Sequence, residues 1–174
     1  MAASARPFQD DLHQNYCWGC GIANPQGLHI KSTWDGEEAV CLWQPAPEHM
    51  AGPRGVLNGG IIATVIDCHS ICTAVAAAYR AEGRPVGSEP LIWYVTGALT
   101  VSYHRPAPLD RPLRVHARIT ERAGRKTLIS ASVTAGGDPC ASGEVTAIQV
   151  SPEWFTRYDG GLWKADGPNS VRTE

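Results

Sequence analysis

Residues 55–80 read GVLNGGIIATVIDCHSICTAVAAAYR, and this run decides the fold. Asn58 stands where a helix N-cap belongs, because its short side chain suits the free N–H groups of a first turn. Gly59 and Gly60 follow, and without side chains they leave those N–H groups open to another molecule. The same groups lie at the positive end of the helix dipole, which favours a negative charge or a polarised oxygen. From Ile61 to Ala78 the residues are apolar or small on every side, so the helix must be enclosed. Asp67 is the only carboxylate of the helix, and an ionised acid there is costly unless it is paired or hydrogen-bonded. It is either a site residue or a brace for a neighbouring loop.

The rest of the composition narrows the class. A chain of 174 residues suits one domain with a real core, and a net charge of −2 gives no reason to expect nucleic-acid binding. The helix approaches membrane-span length, yet Thr64, Asp67, His69, Ser70 and Thr73 interrupt it and no basic or aromatic belt flanks it. A core helix is expected, with no membrane span. The opening residues, MAASARPFQDDLHQ, contain no apolar h-region, so no secretory signal is expected. Six cysteines in a chain of this size point to reduced thiols and a cytoplasmic place rather than a disulfide scaffold. Cys68 and Cys72, four apart on the helix, are expected to pack as small hydrophobes.

Outward from the helix, residues 1–14 read as a flexible arm. Cys17-Trp18-Gly19-Cys20-Gly21 has zinc or redox spacing. No second CxxC or CxxH follows at the usual distance, and a thioredoxin-like βαβ context is missing. The expectation is a tight glycine-rich turn with buried thiols and no metal. Leu28 to Trp34 alternates like a strand, Asp35-Gly36 turns, and Ala39 to Gln44 completes a hairpin. A proline-rich loop holding His49 leads into the helix. Beyond it come a long strand over 91–105, with Gly97 as a candidate bulge, and strands over 113–120, 127–134 and 141–150. Arg122, Arg125 and Lys126 form a basic turn between two of them. The domain is set at 15–151 and a tail at 152–174, where Trp154, Phe155 and Trp163 offer docking groups. One helix covers five or six strands only if the sheet curls around it, so the fold class is α+β with a curved antiparallel sheet wrapped on a central helix.

Four pieces carry a family resemblance: CWGCGIANPQGL, the GVLNGGIIATVID helix start, TVSYHRPAPL and ERAGRKTLISASV. Over roughly residues 17 to 150 the chain resembles the hotdog-fold thioesterases, in the branch of the PaaI-like and THEM acyl-CoA thioesterases. The resemblance implies that the Gly59 N–H, with Gly60 beside it, binds the thioester carbonyl oxygen. It implies that Asp67 activates water as general base or attacks as nucleophile, and that Thr96 helps to orient water. The family position before the glycines is usually histidine; here it is Asn58, whose amide can still donate to a carbonyl or hold a water. Another branch has a polar residue one turn after the acid, where this chain has Ile71, so nothing carries over.

Gly59 and Asp67 are separated by roughly 12 Å along one helix, too far for one thioester carbon to touch both. Either one of them works alone, or a second copy of the chain completes the pair. The resemblance implies the second, hence a homodimer with two equivalent composite sites, or a tetramer made of two such dimers. Arg122, Arg125 and Lys126 are candidate partners for the phosphates of CoA, which enters as part of the substrate, and no separate cofactor is expected. His49 is a further candidate at the pocket mouth. His69 lies two positions from Asp67, on another helical face, and reads as a core or interface histidine; His104 reads as solvated. Two other activities remain open: a hotdog hydratase or dehydratase, which the asparagine at 58 disfavours, and a non-catalytic acyl-ligand binding protein.

Overall fold

The computed structural model of the chain describes residues 6–151, 153 and 154. The long helix is α1, Gly59–Ala81, and six strands accompany it: β1 Ser32–Asp35, β2 Glu38–Trp43, β3 Trp93–Tyr103, β4 Leu113–Ala123, β5 Lys126–Ala135 and β6 Asp138–Val150. They form one antiparallel sheet in the order β1-β2-β4-β5-β6-β3. This is the hotdog arrangement: one sheet curled over one helix. Strands β4, β5 and β6 form a meander, as the alternation in their sequences suggests. The long strand β3 does not start that meander. It crosses to the far edge and pairs with β6, because the β1–β2 hairpin already occupies the place beside β4.

Burial explains why α1 needs no polar face. Ile62, Val65, Ile66, Cys72 and Ala76 meet Val115, Ala117, Ile129, Ala131, Val145 and Ala147 in one core. The inner face of the sheet is built from small and β-branched residues so that the helix can approach closely. At Gly143 the approach leaves no room for a side chain: a Cβ there would sit 2.7 Å from the Ile66 side chain. α1 is long and apolar enough to cross a membrane, but 67% of its most apolar window is buried within the protein.

The helix is not closed on all sides. Gly60 is exposed, and Ala63, Thr64, Asp67 and Ile71 are half-buried. Their spacing of three and four residues places them along one open stripe. Most of β3 is exposed as well.

The N-terminal arm differs from expectation. Phe8–Asp11 forms a short 3-10 helix, and Phe8, Gln9 and Leu12 are buried. Gln9 Oε1 accepts the Ser32 N–H at 2.8 Å and its Nε2 donates to Ser32 Oγ at 2.9 Å. Two side-chain bonds to a buried strand hold this segment down, a partnership that local sequence does not reveal. The first expected strand is shorter than its alternation suggests: Leu28 and Ile30 are buried but precede β1. Phe155 and Trp163 lie outside the described residues.

Candidate active site

Asp67 sits near the middle of α1 on its open stripe. Opposite it, β3 contains a bulge between Thr96 and Ala98, where the register with β6 shifts. Gly97 is the extra residue, and a Cβ there would lie 2.8 Å from Ile148. A side chain at this point would force the strands apart, so the bulge needs glycine. At the bulge, Thr96 Oγ1 donates to Asp67 Oδ1 at 2.6 Å. Burial raises the Asp67 pKa above the ordinary carboxylate range, and the Thr96 bond opposes that shift by favouring the ionised form. A carboxylate that is partly dehydrated, held by one hydroxyl and otherwise unpaired among the described residues is well placed to accept a proton from water.

Asp67 and Thr96 open onto a cavity of about 250 Å³. Leu12, Ile71, Val75, Trp93 and Val95 give it an apolar wall, and Tyr94, Asn15 and the cysteines at 17, 20, 68 and 72 complete it. No histidine lines it among the described residues.

The helix start is a separate place. Asn58 Oδ1 accepts from Gly60 N at 2.7 Å and Ile61 N at 3.4 Å, so Asn58 is the N-cap. That bond occupies the Gly60 N–H, which leaves Gly59 as the donor: no hydrogen bond among the described residues takes its N–H. Tyr103 Oη donates to the Gly59 carbonyl oxygen at 2.8 Å and fixes the turn against β3. Gly59, Ile62, Tyr103 and Arg105 border a second cavity of about 330 Å³. Within one chain, therefore, Gly59 and Asp67 line different cavities.

The remaining candidates fall in three places. His49 Nδ1 accepts the Ala46 N–H at 2.9 Å, its ring stacks on Trp43, and its carbonyl oxygen accepts the Asn58 N–H at 2.9 Å. It braces the loop that delivers the helix start. Arg122, Arg125 and Lys126 are exposed. Lys126 pairs with Ile148, which pairs with Val95. Two strand spacings, about 10 Å, thus separate the basic turn from the strand that holds Thr96. Arg122 lines another groove, with Arg80, Arg118 and Trp34, and not the Asp67 cavity. His69 is fully buried: Nε2 donates to the Ala39 carbonyl oxygen at 3.1 Å and Nδ1 accepts from Ser32 Oγ at 2.8 Å. It is a core residue. His104 is exposed, with Nε2 2.8 Å from Ser142 Oγ.

Asn15 and Tyr103 escaped the sequence reading. Asn15 had a weak signal, since an asparagine two residues before a tight turn often bonds that turn's backbone. Tyr103 had none, because its role depends on how β3 lies against the helix start.

Among solved structures, a thioesterase superfamily protein from Shewanella loihica PV-4 superposes with a TM-score of 0.56 at 33% identity, covering 70% of this chain and 91% of that one. Protein smu.793 of Streptococcus mutans UA159, bound to acetyl CoA, shares the fold with a TM-score of 0.56 at 14% identity, over 70% of this chain and 89% of that one. The acyl-coenzyme A thioesterase THEM4 of Xenopus laevis is 33% identical over 111 residues, which are 64% of this chain and 44% of that protein. The chain thus spans under half the length of the curated relatives named thioesterase that it matches. A family model, the thioesterase superfamily, matches residues 54–142, from the loop before α1 to the start of β6. That span holds the capped helix start, Asp67 and the bulged strand together and covers just over half of the sequence, and by it the chain belongs to the thioesterase superfamily.

Proposed function

We propose that the chain hydrolyses an acyl-CoA, or another acyl thioester, to a free acid and a thiol, in composite sites between two copies of itself. The observation that carries this reading is the placement of Asp67: half-buried, held by Thr96, and opening onto a largely apolar cavity. An acyl chain suits such a wall. The family membership and the named activity of the frog relative support a thioester as the substrate.

Pairing of two copies rests on three features. Gly59 and Asp67 line separate cavities in one chain. The open stripe of α1 runs from one to the other. Strand β3, 11 residues long, is an edge of the sheet among the described residues, and soluble proteins cover or pair such edges. A two-fold arrangement brings the Gly59 N–H of one copy to Asp67 of the other and does so twice.

In the reaction the Gly59 N–H polarises the acyl carbonyl. Asp67 of the other copy takes a proton from water as the oxygen attacks the carbonyl carbon. The negative charge that develops on the carbonyl oxygen is held by the Gly59 N–H, a donor worth roughly 10²–10³ in rate. Collapse of the tetrahedral intermediate breaks the C–S bond, and the leaving thiolate takes the proton back from Asp67. Direct attack by the Asp67 carboxylate, with an anhydride hydrolysed afterwards, uses the same residues. The exposed basic turn at Arg122, Arg125 and Lys126 meets the phosphates of CoA. The six unpaired cysteines suit a cytoplasmic place.

Release of free thiol from a panel of acyl-CoA substrates tests the reading. Wild-type protein turns over at least one of them, and Asp67→Asn lowers kcat by about 10³ or more. Full activity in Asp67→Asn overturns the assignment. Saturable acyl-CoA binding without turnover identifies a binding protein, and hydration of an enoyl-CoA identifies a lyase.

A further inference from the structure

Four cysteines converge beside the Asp67 cavity. Cys17 and Cys20 come from the loop before β1, and Cys68 and Cys72 from one face of α1. Cys17 Sγ lies 3.5 Å from Cys68 Sγ, although the two residues are 51 apart in sequence. Cys20 Sγ lies 3.7 Å from Cys72 Sγ. The sulfurs of Cys17, Cys20 and Cys68 are all within 4.8 Å of one another. Cys20, Cys68 and Cys72 are buried, and Cys17 closes the cluster on the solvent side.

The loop is shaped to hold these sulfurs together. Asn15 Oδ1 accepts the Cys17 N–H at 3.0 Å, and Asn15 Nδ2 donates to Cys20 Sγ at 3.4 Å. Cys17 O accepts the Gly21 N–H at 2.8 Å, which closes a tight turn. A Cβ at Gly21 would fall 2.4 Å from Asn15 O, and one at Gly19 would fall 2.2 Å from Cys68 Sγ. Both glycines are needed for the loop to press on the helix at this point.

Thiols that merely pack as hydrophobes have no reason to turn toward one another. These four do, and Cys20 Sγ acts as acceptor from both Asn15 Nδ2 and the Cys72 thiol. A zinc ion in a tetrahedron of sulfurs, with Zn–S bonds of about 2.3 Å, sets neighbouring sulfurs about 3.8 Å apart. The two thiol contacts already lie close to that spacing. Closing the set brings Cys72 Sγ, in contact with Cys20 Sγ, toward the sulfurs of Cys17 and Cys68.

We propose that Cys17, Cys20, Cys68 and Cys72 form a tetrathiolate site for one zinc ion, which clamps the loop at 15–21 onto the middle of α1. Each thiol that ligates zinc releases its proton to solvent, so binding needs no oxidant. With four sulfur ligands and no open position the ion is structural. The same sulfurs line the cavity next to Asp67, so the ion fixes one wall of the pocket. This site replaces the expectation of a metal-free turn with packed thiols, whose partner pair is a CxxxC on the helix rather than a second CxxC. It stands or falls independently of thioester hydrolysis.

The test uses the full chain purified under reducing conditions with zinc present. Metal analysis gives one zinc per chain, and chelation exposes four thiols to an alkylating reagent. Cobalt added to the metal-free protein gives the visible bands of a tetrahedral ion and thiolate-to-cobalt charge transfer. Cys17→Ser, at the exposed corner of the cluster, removes most of the affinity while the protein stays folded by circular dichroism. Asn15→Ala weakens zinc by roughly 10–100-fold. Cys140→Ser, outside the cluster, binds zinc as wild type does. Substoichiometric zinc together with a cobalt spectrum lacking thiolate bands overturns the proposal. So does a Cys17–Cys68 disulfide that forms readily with peroxide in a protein that never takes up zinc, since that identifies a redox pair.

Discussion

Asp67 does its proposed work through one hydrogen bond, so the residue that makes the bond offers a sharp test. Thr96→Val keeps the shape of the side chain and deletes the donor at 2.6 Å. The carboxylate is then free to rotate away from its working position. We expect kcat for thioester hydrolysis to fall by about tenfold with little change in KM, because the acyl chain still meets the same wall. Asp67 was readable in the sequence because it is the one acid in an otherwise uncharged helix segment. Its partner Thr96 entered only through family resemblance, since a threonine in a strand is ordinary. A second test at this scale concerns His69, which is packed neutral among Gln9 and Ser32, the Ala39 carbonyl on β2, and His116 on β4. Burial, the largest cause, lowers its pKa to about 4. In the unfolded chain it titrates near 6.5. Between these values the unfolded state binds the proton and the folded state does not. The contribution of this group to stability is therefore complete above about pH 6.5 and declines as the pH falls toward 4, by about 3 kcal/mol at most. Urea unfolding at several pH values reads this decline, and His69→Gln flattens it.

At the scale of elements, the helix and its start were legible because their signals are local: an N-cap asparagine, two glycines and an unbroken apolar run. Strand identities were legible from alternation. Strand order was not, because pairing of β3 with β6 rather than β4 is decided by which neighbour remains free after the hairpin docks. The N-terminal segment was misread for a related reason. Gln9 looks like a surface residue until Ser32, 23 positions away, meets it in the core. The cysteine cluster also hides in plain composition, since its two halves are far apart in sequence and have different spacing. Among the elements, β3 is the one whose exposure needs a cause. Leu99 lies on it at 36% exposure, so a lysine there leaves the monomer fold intact and charges the edge. Leu99→Lys is expected to convert a dimer to a monomer by light scattering and to abolish thioester hydrolysis with it. A monomeric Leu99→Lys that keeps full activity separates catalysis from pairing.

For the whole molecule, the central claim is that neither copy holds a complete site. Gly59→Pro removes the one N–H in question, and the backbone accepts it. Position 59 is the first helical residue, where proline is tolerated. Asn58, before it, is extended at ψ 134, as proline requires, and a Cβ at 59 meets the Tyr103 ring at an ordinary 3.4 Å. Gly59→Pro and Asp67→Asn should each be nearly inactive alone while remaining folded and dimeric. Unfolding the two together and refolding them as a mixture pairs half of the chains as hybrids. Each hybrid dimer combines an intact Gly59 from one copy with an intact Asp67 from the other in one of its two sites. The activity of the mixture should then rise to about a quarter of the wild-type value. A mixture that refolds into hybrid dimers and stays as inactive as its parents would contradict the shared site.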